Sequence, residues 1–164
     1  MNVRILSRPI IGAVAAMFAF VSPAAAQKAR TGVYPADIVP IAPYSPGLLT
    51  DNGFLYVSGQ IAYVDGAVPD HAKDGDDDLR DQTTVVMENI RAVLDEAGYD
   101  FNDAVRVTVF LADMDDYGAF NEVYGSYWGE GATPPARAAI EASALPGGTS
   151  GAPILVEVTM IAYK

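Results

Sequence analysis

Between Leu79 and Gly98 the apolar residues Leu79, Val86, Ile90, Val93, Leu94 and Ala97 recur at helical spacing, and a glycine follows where a helix terminus favours one. The spacing predicts an amphipathic helix of about five turns. Its apolar stripe has to be covered, so the rest of the chain must supply an apolar surface. A different period supplies it. Val105, Val107, Val109 and Leu111 alternate with Arg106, Thr108 and Phe110, which reads as a strand with two unlike faces. Leu48-Leu49-Thr50 and Phe54-Leu55-Tyr56-Val57-Ser58 flank the turn residues Asp51-Asn52-Gly53 as a β-hairpin, with Gly59 as the stop of its second strand. Phe120, Val123, Tyr124 and Tyr127 fall three or four apart behind the acidic N-cap region Asp113 to Asp116. They predict a second helix, broken by Thr133-Pro134-Pro135. Ala136 to Ala144 and Ile154 to Tyr163 read as two final strands, joined by a Gly- and Pro-rich loop from Pro146 to Pro153. The expected fold is α+β, a single mixed β-sheet with two helices packed on one face.

The N-terminus has a different character. Arg4 and Arg8 precede an apolar run from Ile10 to Val21, shorter than the roughly 20 residues a bilayer span requires. Pro23 and Ala24-Ala25-Ala26 follow. The pattern predicts a signal peptide over residues 1–26, cleavage before Gln27, and a periplasmic or secreted protein with no membrane association after cleavage. No cysteine is available to carry a lipid anchor. Residues 27–40 have mixed polarity and no clear period and read as an N-terminal arm or edge segment, leaving residues 41–164 as one domain.

The formal net charge is −11, and losing Arg4 and Arg8 takes it to −13. Nucleic-acid affinity rests largely on Lys and Arg neutralising phosphates, so the balance argues against a nucleic-acid partner. Any anionic ligand has to be small and met by a local cation. Dinucleotide and phosphate-loop signatures, cysteine nucleophiles and His-rich metal patterns are all missing from the sequence, and no cofactor or metal is expected. The cluster Asp74, Asp76, Asp77 and Asp78 lacks the spacing of a calcium loop and reads as the solvated start of the helix. His71, the single histidine, reads as a surface residue in a Gly- and Asp-rich loop.

Two charged residues stand where a purely structural role explains them poorly. Arg137 opens an otherwise apolar strand, either as a rim residue or as a guanidinium fork for a carboxylate. Glu157 lies between Val156 and Val158. If it faces a pocket, it needs a proton, a water or Arg137 to satisfy it.

The segments Ala42-Pro43-Tyr44-Ser45-Pro46-Gly47, Tyr56-Val57-Ser58-Gly59-Gln60, Phe120-Asn121-Glu122-Val123-Tyr124, Pro135-Ala136-Arg137-Ala138 and Val156-Glu157-Val158 occur in this order. Together they resemble the successive motifs of the Rid (reactive intermediate deaminase, YjgF-like) family, from about Ile41 to Lys164. The resemblance implies a chorismate-mutase-like fold, a homotrimer with its pocket between subunits, and hydrolytic deamination of small 2-imino acids to 2-keto acids and ammonia. It assigns Arg137 to the substrate carboxylate and Glu157 to the attacking water. Tyr44 would pack over the substrate, with Ser58 and Asn121 lining the pocket. Many members of that family carry a cysteine where this chain has Ala139. The contribution of that position is thought to be chiefly its backbone carbonyl, which Ala139 retains. The loop Pro146 to Pro153 looks longer than in cytosolic members.

Chemically the scheme is economical: anchoring the carboxylate of a 2-imino acid fixes its C=N carbon against a water held by a general base. A protein that binds small carboxylates without turnover, or acts as a chaperone through the same pocket, is the alternative reading. An endoribonuclease is the least favoured, on charge.

Overall fold

The computed structural model describes residues 29–164. The signal-peptide segment and the cleavage point before Gln27 lie outside the described residues. Strands β1 (Arg30–Val33), β2 (Gly47–Thr50), β3 (Phe54–Gln60), β4 (Ala104–Leu111), β5 (Ala136–Glu141) and β6 (Val156–Tyr163) form one sheet in the order β1-β2-β3-β6-β4-β5. Helix α1 (Asp78–Ala97) joins β3 to β4, and α2 (Tyr117–Gly125) lies between β4 and β5. β4 and β5 pair in parallel and every other neighbouring pair is antiparallel. The connections account for this mixture. β3 and β4 both run antiparallel to β6 and so parallel to each other, and each parallel relation needs a crossover, which a helix provides.

Both helices cover the same face. The α1 stripe of Leu79, Val86, Ile90, Val93 and Leu94 packs with Leu55, Val57, Val107, Val109, Val156, Val158 and Met160 in one core. Gly98 terminates α1 with φ 75°, the left-handed conformation its position predicts. Asp113 caps the 3₁₀ turn Met114–Asp116 ahead of α2 by accepting from the Asp115 N–H. The other sheet face carries Phe54, Tyr56, Phe110, Ile140 and Tyr163 without helix cover. Tyr56, Ile140 and Tyr163 are about half exposed there, at 45%, 49% and 51%.

Several boundaries differ from the sequence pattern. Val105 does not share the face of Val107 and Val109. The pairing of β4 with β6 slips between Ala104 and Arg106, and this bulge turns Val105 outward while Ala104 is buried. β3 runs on through Gly59 to Gln60, so Gly59 lies within the strand. β5 stops at Glu141 and β6 begins at Val156, both shorter than the apolar runs. α2 ends at Gly125, well before Thr133-Pro134-Pro135. Arg30–Val33, inside the segment read as an arm or edge segment, pairs with β2 at the sheet edge, in line with the second of those readings.

The loop from Asp65 to Asp78 is mostly solvated, but Val68 and Ala72 within it are buried against Ile61 and Ile154. His71 is exposed, and Asp74 and Asp78 accept from the backbone N–H groups of Asp76 and Gly75. Among the described residues no group of His, Cys, Asp or Glu is placed to hold a metal, and no helix is long and apolar enough to cross a membrane.

Candidate functional site

The six residues singled out in the sequence fall into two groups on opposite faces of the sheet. Glu157 pairs with Phe110 on the uncovered face, with Val156 and Val158 turned into the core on either side. Beside it a cleft of about 380 Å³ is walled by Ile41, Ala42, Tyr44, Ser58, Gly59, Ile61 and Pro146. The wall is mainly apolar, so Glu157 and Ser58 are its polar marks. Ser58 Oγ donates to the Ser45 carbonyl at 2.8 Å, which commits the hydroxyl proton and leaves the oxygen free to accept from a ligand. Tyr44 stands at the mouth, 38% exposed. Gly59 explains how the carboxylate fits. A Cβ at that position would occupy the space of Glu157 Oε1, so the strand passes close under the carboxyl only because the residue is glycine.

Among the described residues Glu157 makes no ion pair, and Arg137 does not reach it. Its pKa is raised above the ordinary value of 4.5 because half-burial disfavours the charged form. A carboxylate held this way accepts a proton more readily than a solvated one, as a general base for water requires.

Arg137 belongs to the other group. It pairs with Val107 in the parallel β4–β5 ladder and therefore points to the helix-covered face, where the first turns of α2 receive it. Its Nη2 donates to Asn121 Oδ1 at 2.6 Å and to Tyr117 Oη at 3.0 Å. The guanidinium carbon lies 4.5 Å from the Tyr124 ring centroid and 5.5 Å from that of Phe120. Burial pushes the Tyr124 phenol up to about 12, against the pull of the Arg137 charge, so this ring stays neutral beneath the cation. Ala139 follows two residues along the same strand, on the same face, packed against the core. β5 is the edge strand of the sheet, so one side of its backbone has no neighbouring strand.

The structure thus brings together Tyr44, Ser58 and Glu157, and separately Arg137, Asn121 and Ala139. The sheet separates the two sets within one chain. The sequence reading passed over Tyr117 and Gly59 as site residues. Tyr117, Asn121 and Tyr124 are spaced four and three apart, which puts them on one helical face and was a usable signal. Tyr127 and Trp128 stay outside both groups, packed edge-on against Phe101.

The profile of the family described as Endoribonuclease L-PSP matches residues 35–164. The chain belongs to that family. Its relatives include a RutC family protein of Pyrococcus horikoshii, 45% identical over 125 residues that cover 76% of this chain and 90% of the relative. A 2-iminobutanoate/2-iminopropanoate deaminase of Mus musculus is 37% identical over 131 residues, covering 76% of this chain and 83% of its own. Among solved structures, the YjgF gene product of E. coli superposes with a TM-score of 0.68 at 28% identity, covering 82% of this chain and 98% of its own. The mixed sheet with two helices on one face is the architecture of these L-PSP and YjgF proteins, as the motif resemblance implied.

Proposed function

We propose that this member of the L-PSP family hydrolyses small 2-imino acids of the 2-iminobutanoate and 2-iminopropanoate type to 2-keto acids and ammonia. The observation that supports the reading is the presence in one chain of two complementary half-sites. One holds a buried-leaning carboxylate beside an apolar cleft, and the other a fixed guanidinium on an edge strand. The mouse relative bears the name of this activity. Because the sheet stands between Arg137 and Glu157, one substrate meets both only where two chains adjoin. We therefore take the working form to be a homotrimer in which Arg137, Asn121 and Ala139 of one subunit face Tyr44, Ser58 and Glu157 of the next.

In this arrangement Arg137 binds the carboxylate and so fixes the C=N carbon toward the cleft. Glu157 takes a proton from water as the oxygen attacks that carbon. Glu157 returns that proton to the nitrogen, giving an amino alcohol, then takes the hydroxyl proton and passes it to the amine as the C–N bond breaks, so that a ketone forms and ammonia leaves. The apolar wall of Ile41, Ile61 and Pro146 accepts the substrate's alkyl chain. No cofactor enters these steps. The formal charge of −11 disfavours cleavage of RNA despite the family's name.

The test is semicarbazide-trapped hydrolysis of freshly generated 2-iminobutanoate. Arg137→Ala is expected to lose about 100-fold or more in kcat/KM, corresponding to roughly 3 kcal/mol of charge-assisted binding. Full activity in that variant would sink the assignment. We further propose export, with N-terminal sequencing expected to begin at Gln27; a native chain retaining Met1 would overturn it.

A further inference from the structure

Arg137 is not a free fork. Its Nη2 is engaged twice, by Asn121 Oδ1 and by Tyr117 Oη. A guanidinium offers a carboxylate two edges with parallel N–H bonds, Nε with Nη2 and Nη1 with Nη2. Both edges use the nitrogen that is already occupied. An incoming carboxylate therefore finds on Nε or Nη1 a donor that no described residue engages, and its second oxygen falls beside whatever already occupies Nη2. On the exposed side that neighbour is Tyr117, the first residue of α2, 37% exposed and with its ring centroid 5.6 Å from the guanidinium carbon.

The Tyr117 hydroxyl suits the second oxygen. Its oxygen accepts from Nη2, so its own proton is turned away from the guanidinium, and among the described residues no acceptor takes it. The bond from Arg137 first, and the Asn121 side chain second, lower the Tyr117 pKa below the ordinary phenol value, and a more acidic hydroxyl is a stronger donor to an anion. Asn121 is not an equivalent partner. It presents a carbonyl oxygen to Nη2 and is less exposed than Tyr117.

We propose that Tyr117 is the second carboxylate ligand of this site: one substrate oxygen bonds to a remaining N–H of Arg137 and the other accepts the Tyr117 hydroxyl proton. The inference rests on the reading of Arg137 as the carboxylate anchor. It adds a residue that discriminates an anionic carboxylate from a neutral amide, because a hydrogen bond to a charged acceptor is roughly twice as strong as one to a neutral acceptor.

Calorimetric titration of the assembled protein with 2-oxobutanoate and with 2-oxobutanamide tests this without requiring turnover. The comparison uses the native protein, Tyr117→Phe and Arg137→Ala, with a thermal unfolding curve for each to report the fold. Tyr117→Phe keeps the ring over the guanidinium and removes only the hydroxyl. It is expected to weaken 2-oxobutanoate about tenfold and 2-oxobutanamide much less, narrowing the ratio of the two affinities. Equal weakening of both ligands would mean a loosened pocket and would overturn the proposal. Unchanged 2-oxobutanoate affinity in Tyr117→Phe, with binding lost in Arg137→Ala, would remove Tyr117 from the site and leave Arg137 in it. Binding that survives Arg137→Ala, or is missing from the native protein, would overturn the carboxylate anchor and this inference together.

Discussion

Glu157, the proposed base, is held at some expense to the fold. Half-buried, without an ion-pair partner among the described residues, it has its pKa raised by desolvation alone. Two consequences follow from that sign. As the proposed base it acts only when ionised, so the acidic limb of the kcat/KM profile is expected above the ordinary value of 4.5. Glu157→Gln should abolish that limb while slowing hydrolysis more than it weakens binding. For stability, a carboxyl whose folded pKa is raised favours the native state below its ordinary 4.5, and that contribution is lost as pH rises through the folded value. Thermal unfolding should therefore show Glu157→Gln above the native protein at neutral pH, with the difference vanishing below 4.5. A variant that is less stable at neutral pH would instead identify Glu157 as a structural hydrogen-bond partner.

The elements hold the cleft through contacts that no periodicity reveals. Gln82 is fully buried on α1. Its Nε2 donates to the carbonyls of Ala72 and Pro153 at 3.1 and 2.8 Å, and its Oε1 accepts from the Leu155 N–H at 2.9 Å. One side chain thus ties the helix to the 3₁₀ turn Asp70–Ala72 and to the end of the loop that carries Pro146 into the cleft wall. Gln82→Leu leaves three backbone groups without these partners and is expected to cost about 3 kcal/mol, or roughly 10 °C in Tm. A calorimetric Tm within a degree of the native value would show that water replaces the amide. The helices and the ladder strands were legible because burial imposes periods of 3.6 and 2 on their residues. The ends were not, because ends are set by local exceptions to those periods. The bulge at Val105 reverses the alternation for one residue, and Gly59 reads as a breaker until the carboxyl lying against it is seen. Gln82 has the composition of a surface residue, and nothing in its neighbours along the chain announces three buried backbone partners.

At the scale of the whole molecule the informative quantity is which way the side chains face. The flanking Val156 and Val158 fix the direction of Glu157 from sequence alone. Arg137 stands between Ala136 and Ala138, which are too small to declare a face, so the separation of the two charges across the sheet needed the parallel register with Val107. The same register allows the proposed composite site to be tested by mixing chains. Arg137→Ala retains Glu157, and Glu157→Gln retains Arg137, so each variant lacks a different half of every site. In the proposed homotrimer, unfolding the two together in equal amounts and refolding them makes mixed rings whose head-to-tail interfaces draw each half at random. About a quarter of those interfaces then combine an intact Arg137 with an intact Glu157. Imine hydrolysis near a quarter of the native rate, from parents that are each nearly inactive, is the expected outcome. Activity no higher than that of the separate parents, with mixed assembly verified by mass spectrometry, would mean that Arg137 and Glu157 do not act on one substrate across an interface. The shared site would then have to be abandoned, even if each half still binds a ligand.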